Sequence, residues 1–67
     1  MTKIRTDFIT LQQLLKIEGF IETGGQAKML LPTLDVRVNG EKEQRRGRKL
    51  YPQDVVEIGG KRFEIEK

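Results

Sequence analysis

Apolar positions along this chain change period part-way. Leu11, Leu14 and Leu15 recur at helical spacing, with Ile17 nearby. Ala27, Leu30, Leu31 and Leu34 then fall at i, i+3, i+4 and i+7. From Val36 the pattern becomes that of short strands: Val36-Arg37-Val38, Val55 to Ile58, and Lys61 to Glu66. Two helical stretches followed by hairpins predict an α+β fold, two helices packed on a small, mainly antiparallel sheet.

Local signals place the boundaries. Residues 3 to 9 are expected to form a short strand, with Ile4, Phe8 and Ile9 as its apolar positions. Thr10 reads as a helix N-cap with Gln13 three residues on, the spacing of a capping box. Gly19 stands where a left-handed residue ends a helix, and Phe20 and Ile21 should tuck back onto the core. Thr23 and Gln26 repeat the capping-box spacing. The second helix is expected from Gly24 to about Leu31, ending in an irregular turn, because Pro32 cannot donate to a continuing helix. Asn39-Gly40 signals a two-residue type I′ turn, which needs φ > 0 at both positions. That turn sets Val38 opposite Glu41 and Arg37 opposite Lys42. It also sets Val36 against Glu43, an uncomfortable pairing that predicts a short or bulged hairpin. Tyr51-Pro52-Gln53-Asp54 is a turn, and Gly59-Gly60 closes a last hairpin over 55–66, with Val56 opposite Phe63 and Glu57 opposite Arg62. Phe8, Phe20 and Phe63 are expected in the core.

Composition narrows the function. The chain has 67 residues, 36% hydrophobic and 34% charged, so one domain with a small core is expected over 1–67 and function should lie on its surface. There is no Cys, His, Ser or Trp. Disulfides, Cys-ligated zinc, the usual neutral-pH general base and the usual hydroxyl nucleophile are all missing. The expectation is therefore a non-enzyme with no cofactor, metal or small-molecule substrate. No apolar run reaches about 18 residues, and Met1 to Asp7 has no secretory character, so a cytoplasmic monomer is expected, with no membrane partner.

The net charge of +3 matters less than its clustering. Lys42, Arg45, Arg46, Arg48 and Lys49 follow the Asn39-Gly40 turn at once, so positive potential gathers beside a rigid scaffold. Arginines fork onto phosphates, and Gly47 lets backbone approach. The plainer alternative is a solvated loop partly balanced by Glu41 and Glu43. Arg37 facing Lys42 destabilises a ladder unless an anion sits there; the alternative is that the strands diverge before the two meet. Tyr51 reads first as a rim residue closing the core and second as a base-stacking ring. No exposed aromatic platform is legible, so phosphate and shape should dominate recognition.

The order of helix, glycine, capped helix, Val36-Arg37-Val38-Asn39-Gly40 hairpin, basic segment and Pro52-x-Asp54-Val55 turn resembles the S4 domain. That is the small RNA-binding module of a ribosomal protein, of pseudouridine synthases and of a tyrosyl-tRNA synthetase tail. The likeness covers roughly residues 8–58 and is closest to small stand-alone bacterial S4-like proteins. It implies an RNA-contacting surface built from the second helix and the hairpin: Gln26, Lys28, Arg37 and the basic residues after Gly40. It also implies structured RNA of the ribosomal or transfer class as partner. Three positions depart from the pattern. Thr23-Gly24 stands where Ser-Arg is usual, Gln53 replaces a glycine, and Pro32 is unusual. With the arginine absent, backbone amides at Gly24 and Gly25 are the expected substitute for it, unless the glycines are only a helix lead-in. An adaptor docking an acidic protein through the same basic hairpin is the second functional reading.

Overall fold

The computed structural model describes residues 2–67. Met1, the start of the stretch expected to lack secretory character, lies outside the described residues. The elements in order are β1 (Thr2–Lys3), β2 (Ile9–Thr10), α1 (Leu11–Ile17), α2 (Gly24–Leu30), a 3₁₀ turn (Leu31–Thr33), β3 (Val36–Val38), β4 (Glu41–Lys42), β5 (Lys49–Leu50), β6 (Val55–Ile58) and β7 (Lys61–Glu66). Strands β1-β7-β6-β3-β4 form one sheet and β2-β5 a second. The fold is α+β, with two helices and a mixed sheet of short strands. Among the described residues no helix is long and apolar enough to cross a membrane.

Helix α1 begins and ends as its sequence dictates. The Gln13 N–H donates to the Thr10 hydroxyl at 3.2 Å, and the Thr10 N–H donates to Gln13 Oε1 at 2.7 Å. Gly19, at φ 81°, closes a Schellman motif: its N–H reaches Lys16 O at 3.2 Å and the Phe20 N–H reaches Leu15 O at 2.8 Å. Leu11, Leu14 and Leu15 are fully buried, each contributing about 1.5–3 kcal/mol. Ile17 lies off that stripe and is exposed. In α2, Ala27 is buried and Leu31 follows beneath it in the 3₁₀ turn, which Pro32 imposes as expected.

The sheet completes the core. Val36 and Val38 of β3 face Ile58 and Val56 of β6, and β7 adds Phe63 and the buried Ile65. The alternate positions form an outer charged row, Lys42, Arg37, Glu57 and Arg62, running across four strands. The strand expected over 3–9 is instead two two-residue strands. β1 pairs in parallel with β7, and β2 antiparallel with β5. A two-residue strand carries no periodicity to read, and the polar run Arg5 to Asp7 forms a bend between them. Phe20 and Phe63 sit half-buried at the margin of the core, whereas Phe8, expected in the core, is half-buried but not packed against it. Phe20 and Phe63 meet edge to face at 6.0 Å, and Phe8 lies 5.7 Å from Tyr51.

The Asn39-Gly40 turn forms at φ 52° and 85°. Asn39 does more than turn. Its Nδ2 donates to Asp54 Oδ1 at 3.1 Å, and its Oδ1 accepts the Val55 N–H at 2.9 Å. Asp54 Oδ2 in turn accepts the Tyr51 N–H at 2.8 Å. One amide with both a donor and an acceptor thus ties the hairpin tip to the Tyr51–Asp54 turn. Asn39→Gly keeps the backbone freedom and deletes only this clamp. We expect it to lower stability by about 1–2 kcal/mol, a fall of several degrees in Tm by thermal denaturation; an unchanged Tm would mean that the clamp contributes nothing.

Candidate nucleic-acid interface

Register decides the shape of the basic segment. Pairing Arg37 with Lys42 ends β4 there, yet the Glu43 N–H still donates to Val36 O at 2.9 Å. Side chains alternate across a strand, so Glu43 points to the same side as Val36, toward the core. Its side chain is only 8% exposed. A carboxylate cannot be buried there without donors. Oε2 accepts the N–H groups of Gln44 and Arg45 at 3.1 and 3.2 Å and Arg45 Nε at 3.1 Å. Oε1 accepts Arg45 Nη2 at 3.1 Å and Arg48 Nη1 at 2.8 Å. The loop from Gln44 to Arg48 is therefore wrapped around one carboxylate. Its outer carbonyls then bind α1: the Leu11 N–H donates to Arg48 O and the Gln12 N–H to Arg46 O, both at 2.9 Å.

The electrostatics follow from this geometry. The bond from the Arg45 guanidinium holds the Glu43 carboxyl at about 2, down from 4.5; burial opposes this, and the Arg48 bond and the Arg45 N–H assist. Glu43 raises Arg45 in turn. Arg45 and Arg48 are thus partly spent inside the chain, although the Arg45 side chain remains 76% exposed. Among the described residues, Lys28, Lys42, Arg46 and Lys49 have no carboxylate within ion-pair distance.

The structure brings together some of the expected residues and separates others. Lys28 of α2 lies across a hollow of about 420 Å³ from Gln44, Arg45, Arg46 and Gly47, with Leu31 and Pro32 as its floor. A second hollow, of about 510 Å³, is lined by Arg45, Gly47, Arg48, Lys49, Tyr51 and Asp54. Gln26 lies two residues from Lys28 and faces elsewhere, beside Phe20, Met29 and Leu30. Its Oε1 is committed to the Thr23 N–H at 3.1 Å as half of the capping box. Gly24 sits against the Gln12 side chain, which a Cβ there would push aside, and Gly25 is open. Arg37 and Lys42 do meet, so the strands do not diverge. Arg37 also has Glu57 on its other side and an ion pair with Asp35 at 3.4 Å. Local carboxylates supply its countercharge, so the like-charge pairing does not by itself require an external anion. Both Arg37 and Lys42 project from the outer face of the sheet and line neither hollow. The residue missed by sequence reasoning is Glu43. Its signal was the uncomfortable register against Val36, with arginines two and five positions later.

A scan against family models matches the S4 domain over residues 2–66. This chain belongs to the S4 domain family. Among curated proteins, the S4 chain is 54% identical over 57 residues to a probable ribosome maturation protein RlbA of Bacillus subtilis (strain 168). The match covers 85% of this chain and 80% of that protein. No solved structure matches it. Within this S4 domain, the helix-and-loop surface is a pair of cation-lined hollows sharing Arg45 and Gly47.

The carboxylate makes a pH-dependent contribution. A depressed pKa stabilises the fold fully above the ordinary value near 4.5, and that part is lost as pH falls toward about 2. Glu43→Gln should remove this component from the Tm–pH profile. At neutral pH it should cost about 1–3 kcal/mol, because the negative charge is lost and one of the two acceptor oxygens becomes an NH2 donor that faces N–H groups and guanidiniums. Superimposable profiles for parent and variant would show that the carboxylate organises nothing.

Proposed function

We propose that this protein is a non-catalytic RNA-binding protein acting in ribosome maturation. Structured ribosomal RNA is its partner, and the surface of Lys28 and the Arg45–Lys49 loop is its contact. The observation that carries the reading is the wrapping of the loop around Glu43. It fixes the backbone of the loop, and with it the Arg45 guanidinium, beside Lys28, so less conformational entropy is lost when the loop meets phosphates. The loop keeps a large excess of positive charge after Glu43 is counted. The family and the name of the Bacillus relative support the same partner class. The protein acts as a monomer in the cytoplasm on this reading, with transfer RNA as the alternative structured target.

The pairing of Arg45 and Arg48 changes how the surface must be tested. Removing both leaves a buried carboxylate short of donors, so the fold suffers along with any RNA contact. The unpaired cations are the clean probes. Lys28→Ala, Arg46→Ala and Lys49→Ala together should lower Tm by only a few degrees, the cost of the Lys49 contact with the Phe8 ring, and should weaken binding to a ribosomal RNA fragment. For every phosphate no longer neutralised, the slope of log K against log[salt] should fall by about 0.7–0.9. Unchanged affinity and slope in the folded triple variant would remove the proposal. Equal, equally salt-sensitive retention of unrelated acidic proteins would favour the adaptor reading.

A further inference from the structure

The hollow beside Tyr51 contains more than cations. Tyr51 is 48% exposed, although its neighbour Leu50 is fully buried. Its ring lies against Phe8, with centroids 5.7 Å apart and planes inclined by 47°. Phe8 is itself covered by Lys49, whose Nζ stands 5.0 Å from the ring centroid. Phe8 and Tyr51 lean on each other beside the core cluster and not in it, so the tyrosine is not needed to close the core. The backbone that carries the ring is also held in place. Pro52 restricts the Tyr51 backbone, and Asp54 caps the Tyr51 N–H at 2.8 Å while the Asp54 N–H returns to Tyr51 O at 3.0 Å. A half-exposed aromatic ring on a braced backbone therefore lines the same hollow as Arg45, Arg48 and Lys49.

We propose that this hollow takes one unpaired nucleotide, its base stacked on Tyr51 and its phosphate on Arg45, Arg48 and Lys49. The inference rests on the RNA-binding reading above and adds the kind of RNA recognised: a helix carrying a bulged or looped-out base. The volume of about 510 Å³ lies within the range of small-ligand sites. Asp54 gives the site a direction. Its carboxylate repels phosphate from the Tyr51 end, which leaves that end to the uncharged base and the arginine end to the phosphate. A π-face accepts any base, so the site selects for an unpaired nucleotide and not for its identity.

The test uses the whole protein and two RNAs, a plain duplex and the same duplex with one bulged fluorescent adenine analogue. The parent should bind the bulged RNA at least about fivefold more tightly, the low end for base–aromatic stacking, and should quench the analogue. Tyr51→Phe should keep both properties. Tyr51→Leu, which retains apolar contact with Phe8, should lose both while its affinity for the plain duplex and its salt slope stay as in the parent. Equal affinity of the parent for the two RNAs, or a Tyr51→Leu variant that keeps the preference and the quenching, overturns the stacking site and leaves salt-dependent duplex binding standing. Failure of the parent to bind either RNA in a salt-dependent way overturns the RNA reading and the stacking site with it.

Discussion

A carboxylate turned toward the core by strand register shapes the whole basic side of this molecule. Arg37 paired with Lys42 forces Glu43 inward beside Val36, and an ionised group in that position is costly unless donors surround it. The donors come from the next five residues, so the chain has to fold back on itself. Net stabilisation from such an arrangement is modest, because desolvation offsets much of the attraction. What it achieves is shape. A run of like charges that would otherwise extend and fluctuate becomes a defined loop, with its carbonyls docked on the first turn of α1. If this surface meets phosphates as proposed, a fixed constellation of cations matters more than a kilocalorie of stability.

A second brace sets the far edge of that surface. Asn39, Asp54 and Tyr51 form a chain of side-chain and backbone hydrogen bonds from the hairpin tip to the turn before β6. The residue that permits the tight turn also helps to fix, by way of Asp54, the Tyr51 backbone beside the cations. Gln53, in the same turn, adopts φ 80°, a conformation in which a glycine would be unstrained. The Gln53 N–H donates to Ile65 O at 2.7 Å, and this bond to β7 holds the turn in place.

Much of this was legible in the sequence, for local reasons. Capping boxes, the Gly19 stop, the Asn39-Gly40 and Gly59-Gly60 turns and the break at Pro32 each depend on a few adjacent residues. The register of both hairpins followed from their turn lengths. What could not be read depended on distant partners. The parallel pairing of Thr2–Lys3 with β7 joins the two ends of the chain and leaves no periodic trace. Gln26 and Lys28 share a helix, but two positions apart they point to different sides, so a motif that names both does not make one surface of them. Arg37 was read against Lys42 because a local turn dictates that pairing; its ion pair with Asp35 lies two residues away in the sequence, and Glu57 stands on its other side from a strand far along the chain. Glu43 was visible as a difficulty in the register, and its resolution needed the loop's three-dimensional path.

The most direct test of the proposed interface is a map of amide chemical shifts while a ribosomal RNA fragment is titrated into the labelled protein. Lys28 and residues 44–51 should shift together, while Gln26, Met29 and Arg62 stay still. Shifts centred on the outer sheet face around Arg37 and Arg62, or on the apolar side of α2 around Gln26 and Met29, with residues 44–51 unmoved, would contradict it.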